Sequence, residues 1–448
     1  MTYLEFLAQI ADAPALYIGL LILFLAAYLC ILRKHLLSIF DPLLLAGLFS
    51  AFGTTDVAFM WSRDLIDTTY VIQFAATEGA FLAGLLLVTP AKWEKVYEKG
   101  VSRSNTRFLS SLYIVSSITF IVFQLATYAI HGIPIFYASR LDYYSSGGGL
   151  GALDRVLDIT WYLTCYLLLY RYAYRIKIEG WPGLFDTLIA CSLACSSILS
   201  GSKSTYILAL FAIFYFRLFH KRELEALGID GRFAKLQKLL IATSVAAAAL
   251  VIAITISSGG MFAFAYQMYM RLVSSGDAFF MAYPSHVIDS IPDKQAFYAL
   301  FGGILVMFRL VPVTSLPENL GFQLYRGVYG FDASVGPNPI HNIFGYVYFG
   351  FAGAIIYSLV LGIVISIIRN RLATRIRAGG VIEPIFVFLA ISSVSMITDF
   401  AIFMKDVGSV ILVVPVLYAI AAIMAYVTAR REVSTQVADT DYLVNGEQ

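Results

Sequence analysis

Basic side chains inside apolar runs need a reason to be there, and this sequence has several. Arg271 stands in AYQMYMRLVSSGD, Arg309 in ILVMFRLVPV, Arg326 in FQLYRGVYG and Lys203 in ILSGSKSTYILAL. Arg140 opens RLDYYSSGGGLGALDR, which also carries the triplet Gly147, Gly148 and Gly149, a hinge for a gate or a plain flexible connection. Charges at membrane depth pair with a partner or line a wet cavity. Taken singly, each arginine is explained as well by snorkelling to a headgroup or by a structural pair such as Arg140 with Asp142. Taken together they suit an anion, and guanidinium forks match the oxygens of a lipid-linked phosphate or diphosphate two at a time.

Candidates for a base are fewer. Asp142, Asp154, Asp277, Asp289, Asp293, Asp332 and Asp399 fall on the same side as these cations, with Glu78 inside an apolar helix where it suits a bond to a neighbouring helix. The D-x-D pattern of Asp439 and Asp441 lies in the polar tail, so no divalent-metal transferase site is indicated and arginines would stabilise a leaving diphosphate. His341, in GPNPIHNIFGYVYFGFAG, stands where the chain re-enters an apolar run; a helix-start role is the plainer reading and a diphosphate or acid/base role the sharper one. It lacks the neighbours of a zinc site, so no metal or other cofactor is expected.

These residues must be positioned by membrane helices. Of 448 residues 59% are hydrophobic and 13% charged, with a mean hydropathy of +0.78, which no aqueous core absorbs. Apolar runs near 20 residues place helices over 14–32, 42–60, 68–88, 109–130, 154–171, 183–200, 204–219, 239–257, 342–368, 382–401 and 408–428. The class is therefore an all-α polytopic integral membrane protein of about 11 spans. No cleavable signal is expected. With the amino terminus outside and the carboxyl terminus cytoplasmic, 22 of the 31 basic residues fall inside, as the positive-inside rule requires. Residues 1–431 then form one membrane domain, with 258–341 a large outer loop and 432–448 a cytoplasmic tail. That loop is too apolar to float free; it predicts interfacial helices, or a re-entrant segment near 296–311, with Trp61, Tyr143, Tyr144, Tyr266, Tyr269 and Tyr283 at headgroup depth. A net charge of +2 gives no sign of nucleic acid as a partner, and Cys30, Cys165, Cys191 and Cys195 all lie in apolar runs, where no disulfide framework is expected.

Three segments carry a family likeness. SGSKST at 200–205, MRLVSSGDAFFMAY at 270–283 and HNIFGYVYFGFAGAIIYSLVLG at 341–362 resemble motifs of the oligosaccharide repeat unit polymerases, the Wzy-type O-antigen and capsule polymerases. Lys203 departs from the more usual arginine, keeping charge but losing bidentate geometry. The resemblance implies a GT-C-like helical bundle in a bacterial inner (plasma) membrane. It implies metal-independent inverting glycosyl transfer on the outer leaflet, with undecaprenyl-diphosphate-linked oligosaccharides as donor and acceptor, membrane lipid as surroundings and a chain-length regulator as a further partner. Under it, Arg140, Lys203, Arg271, Arg309, Arg326 and His341 contact diphosphate, and Asp277 is the base, with Arg271 beside it in catalysis. An O-antigen ligase is the nearest rival. A lipid-linked glycan flippase is the rival of another class, disfavoured here by scarce midplane charge and no visible inverted halves.

Overall fold

The computed structural model describes all residues except 95–99, 103–104, 137–150, 180–182, 201–202, 244, 246–248, 250–272, 292–294, 332–335 and 446–448, and leaves undescribed the side chains of 175–179, 203 and 431–445. Every element among the described residues is helical, as expected where lipid offers the backbone no hydrogen-bond partner. In chain order the labelled helices are α1 (Tyr3–Asp12), α2 (Pro14–Leu32), α3 (Pro42–Ser62), α4 (Thr68–Leu87), α5 (Thr106–His131), α6 (Gly151–Glu179), α7 (Leu184–Leu199) and α8 (Lys203–Ala226). They continue with α9 (Asp277–Ala282), α10 (Val287–Ser290), α11 (Ala296–Met307), α12 (Leu320–Tyr329), α13 (His341–Ser366), α14 (Glu383–Ser392) and α15 (Phe400–Asn445). Six described stretches are long and apolar enough to cross a membrane: Pro14–Leu32, Pro42–Ser62, Thr68–Leu87, Thr106–Phe136, His341–Arg375 and Phe400–Arg430. The protein is a multi-pass helical membrane protein. Leu184–Leu199, Ala296–Met307 and Glu383–Ile397 are apolar but shorter, and most of 239–257 lies outside the described residues.

The chain folds as two compact units, Met1–Trp93 with Ala234–Arg375 and Leu389–Gly408, and Glu94–Phe233 with Ile376–Phe388 and Ser409–Gln448. In the second unit, Glu383 accepts hydrogen bonds from the Tyr166 hydroxyl at 2.6 Å and from the backbone N–H of Gly379 at 2.5 Å, and its Oε1 lies 2.9 Å from His220 Nε2. Arg171 bonds Asp186 at 3.0 Å and lies over the Tyr113 ring.

The first unit differs from a row of straight spans in three ways. Helix α1 opens with a capping box, Thr2 Oγ1 accepting from Glu5 N–H and Glu5 accepting from Thr2 N–H at 2.7 Å, and it buries Phe6 and Ile10. Helix α9 is buried along its whole length, with Phe6 stacked on Phe280 at 4.7 Å. The expectation of interfacial helices therefore fails there: FFMA is apolar on every side, and a helix without a polar face belongs in a core. Tyr283, expected at headgroup depth, is likewise buried, stacked on Tyr70 at 4.9 Å and donating to Gln73 Oε1 at 2.7 Å.

Helix α13, expected as one span over 342–368, is broken at Gly350, where φ is +69° and ψ is −176°. Only glycine holds that conformation without strain. The arm 341–349 folds back on the arm 351–366, setting Phe344 on Tyr357 with ring centroids 5.5 Å apart and His341 Nδ1 3.0 Å from Ser358 Oγ. A hydropathy average sees only two apolar arms in series. Residues 351–375 still exceed the roughly 20 needed for a crossing.

The long arm meets α4 backbone to backbone: a Cβ at Gly84 would overlap the Leu359 carbonyl, and one at Gly362 the Phe81 carbonyl. Small residues permit such approaches in membrane bundles. Beyond α13 the chain continues as a π-helical turn, Ile367–Leu372, which buries Arg369. Both terminal nitrogens of Arg369 bond Asp41, the N-cap of α3, and Nη2 also donates to the His35 carbonyl at 3.0 Å. Breaking a buried pair from one side strands a charge and costs about 3–5 kcal/mol. Asp41→Ala therefore lowers the melting temperature in detergent sharply, whereas the paired replacement Asp41→Leu with Arg369→Met recovers most of the loss; thermal unfolding of both variants checks this.

Candidate functional site

A cavity of about 290 Å³ opens within the first unit. Two carboxylates line it, Glu78 from α4 and Asp277 from the start of α9, together with the hydroxyls of Ser274 and Ser275 and the amides of Asn338 and Asn342. Phe49, Phe74 and Phe279 supply ring surface. The short arm of α13 begins at its edge, because Ile340 and Asn342 are part of the lining. The start of that arm carries a partial positive charge, and the N–H of Ile343 already bonds the Ile340 carbonyl at 3.0 Å.

The two carboxylates are held differently. Glu78 is gripped from three sides: the Tyr28 hydroxyl donates to Oε1 at 2.6 Å, Asn342 Nδ2 donates to Oε2 at 3.2 Å, and His341 Nε2 lies 3.3 Å from Oε2. Asn342 also donates to Thr77 Oγ1 at 2.9 Å, and Gln73 Nε2 donates to the Asn342 carbonyl at 2.9 Å. The Asn342 Oδ1 is buried and has no hydrogen-bond partner. His341 is fully buried, its ring 4.8 Å from that of Phe81.

Asp277 receives one side-chain donor, the Tyr3 hydroxyl, at 2.5 Å. Burial pushes its carboxyl up to about 7, against which the Tyr3 bond and the N–H groups of Asp277 and Ala278 pull down. Both protonation states are then populated near neutral pH, the condition under which a carboxylate accepts and returns a proton efficiently. Behind it, Gly276 backs onto Asp56 so closely that a Cβ there would overlap the Asp56 carboxylate. Asp56 accepts from Tyr17 at 2.7 Å and leaves its Oδ2 unbonded.

Of the residues singled out from sequence, the structure brings Asp277 into the cavity wall and His341 against Glu78. Arg309, in a left-handed conformation after α11, is exposed. Arg326 on α12 pairs with Glu318, and neither it nor Arg309 lines the cavity. Arg140 and Arg271 lie outside the described residues, and Lys203 begins α8 in the second unit with its side chain undescribed. Sequence reading missed Tyr3 and Asn342; Glu78, read there among the acidic candidates and as a bond to a neighbouring helix, lines the cavity. The signals for these were faint: the Thr2 to Glu5 capping box, and an asparagine directly after His341. Among the described residues no three His, Cys, Asp or Glu side chains converge as metal ligands would.

No protein-family model, characterised protein or solved structure matches this chain.

Asp277 gives a direct spectroscopic test. The infrared carbonyl band of a protonated carboxyl, identified by its loss in Asp277→Asn, should fade as pH rises through about 7. Because the Tyr3 hydroxyl stabilises the charged form, Tyr3→Phe should move that transition to higher pH.

Proposed function

We propose that the protein is a glycosyltransferase that polymerises oligosaccharide repeat units carried on undecaprenyl diphosphate, at the outer leaflet of a bacterial inner membrane. The observation that carries this reading is the cavity holding Asp277, a carboxyl able to take a proton near neutral pH among hydroxyls, amides and aromatic rings, which are the groups that bind sugars. Asp277 serves as general base, taking the proton of the acceptor hydroxyl as its oxygen attacks the anomeric carbon and the polyprenyl diphosphate leaves with the bonding pair. Arg271, six residues before it, Arg140 and Lys203 hold the diphosphates. Arg326 joins them only on leaving Glu318. Arg309, exposed beside an apolar helix, suits a headgroup-depth contact with the lipid carrier. His341 acts through Glu78. In this topology the chain crosses eleven times, with 239–257 as the eighth crossing and 351–375 as the ninth, the amino terminus outside and the carboxyl terminus in the cytoplasm. A chain-length regulator is a natural partner.

The break at Gly350 favours a second reading of another class. Transporters build substrate sites from discontinuous helices, and Asp56, Glu78 and Asp277 are buried carboxylates of the sort that move protons or guide polar cargo. A lipid-linked glycan flippase is the form this takes here.

Surface glycan from a deletion strain separates the readings. Loss of the long-chain ladder with a single capped repeat remaining is the polymerase outcome; loss of every capped species is that of a flippase or a ligase. Complementation with Asp277→Asn should leave elongation about 10²–10⁴-fold slower than wild type, the usual contribution of a general base. An unaltered ladder in that strain removes the role from Asp277.

A further inference from the structure

We infer that α11 is immersed in one leaflet of the bilayer without crossing it, with acyl chains covering the stripe Phe297, Phe301 and Phe308 and lipid phosphates holding Arg309 at its end. The inference stands apart from the polymerase reading. Apart from the Tyr298 hydroxyl, AFYALFGGILVM has no polar side chain. Protein covers only part of it. Ala296, Ala299 and Leu300 pack on the core, and Gly302 lacks the side chain that would overlap Leu316 on the returning chain. Phe297, Phe301 and Phe308, spaced to share one face of the helix, are exposed, as are Leu310 and Val313 beyond it. An uncovered apolar patch of this kind marks an interaction surface, and in a multi-pass membrane protein the apolar medium at hand is lipid.

The helix does not cross. At 1.5 Å per residue its 12 residues span about 18 Å, against the roughly 30 Å of a hydrocarbon core. The chain also leaves and returns at one corner of the first unit. Before α11, His286 lies 2.6 Å from the Tyr70 hydroxyl and 3.5 Å from Asp67, at the start of α4. After it, α12 seats Gly327 on Val287 of α10, and the Tyr329 hydroxyl accepts from the backbone N–H of Tyr3 at 3.2 Å.

Arg309 supplies the charge that a leaflet complements. Leu310 N–H bonds the Leu305 carbonyl and Arg309 N–H that of Val306, both at 2.9 Å, the two bonds with which a helix closes around a left-handed residue. Glycine ordinarily fills that position, yet here an arginine holds it at φ +56°. Its exposed side chain stands between exposed Phe308 and Leu310, the composition of an interfacial anchor, in which apolar groups sit below the phosphates and a cation reaches them.

The test places one spin label at a time in full-length protein whose four cysteines are replaced by alanine. The protein is held in nanodiscs of phosphatidylethanolamine and phosphatidylglycerol, free of polyprenyl lipid. Oxygen concentrates among acyl chains and a nickel chelate stays in water, so their collisions with the label report its surroundings. Labels at Phe297→Cys, Phe301→Cys and Phe308→Cys should give an oxygen-to-nickel ratio about tenfold above that at Glu5→Cys, an exposed position on α1. A ratio no higher than at Glu5 puts the stripe in water, and shielding from both reagents puts a protein partner on it; either result overturns the inference. Where a phenylalanine variant fails to fold, Leu310→Cys and Val313→Cys give the same reading. With the label at 301, Arg309→Glu should lower the ratio, because phosphate repels it and the stripe moves outward, whereas Arg309→Lys should leave it unchanged. A ratio indifferent to Arg309→Glu overturns the phosphate contact.

Discussion

The contact between Gly84 of α4 and Gly362 of α13 sets where the buried polar groups of these two helices meet. No side chain stands between the two backbones there, so the long arm of α13 lies as near α4 as main chains allow. The reversal at Gly350 then sends the short arm back over the same helix. His341 and Asn342 consequently arrive opposite Glu78 and Thr77, two turns along α4 from the glycine contact. In lipid, where an unsatisfied polar group has no water to turn to, this geometry gives Glu78, Thr77, Gln73 and Ser358 their partners. A bulkier residue at either glycine would separate the arms from α4 and leave those groups stranded together.

The second carboxylate reaches the cavity by a different route. Helix α9 is inserted among α1, α3 and α12 as a peg that is apolar apart from its first residue, Asp277. Its depth is set by the absence of a side chain at Gly276, which admits the Asp56 carboxylate behind the chain, and by Tyr3, which α1 brings over the front. One wall of the cavity thus carries a carboxylate with two side-chain donors and the His341 ring beside it, and another carries one with a single side-chain donor. Different environments for two like groups in one cavity are how acid/base roles are divided in enzymes.

Much of this was legible in the sequence, for definite reasons. Hydropathy located the helices over 14–32, 42–60, 68–88 and 109–130 within a few residues, because a crossing needs a fixed length of apolar chain. The break at Gly350 was hidden, since glycine is frequent in membrane helices and the flanking arms are equally apolar. Burial of α9 and Tyr283 was misread because aromatic residues suit a headgroup belt and a protein core alike. Arg369 is held by Asp41, a partner 328 positions away that no local pattern reveals. The same limit applies at the cavity: Asp277 and His341 stood out by type and place, whereas Tyr3 and Asn342 acquire their meaning only from the residues they meet across the fold.

A structural role alone does not call for a carboxylate at position 78. A buried ionised group is costly to desolvate, and replacing a buried polar set with well-packed apolar residues is often neutral or stabilising. Tyr28, Asn342 and His341 would offset part of that cost, yet they do so by enclosing one side of Glu78 while its other side faces open volume. The unmatched oxygen of Asn342 adds to the expense without adding to the packing. The open face of Glu78 is what a site for a polar ligand needs, because a site that satisfied all its own groups would have none left with which to hold one.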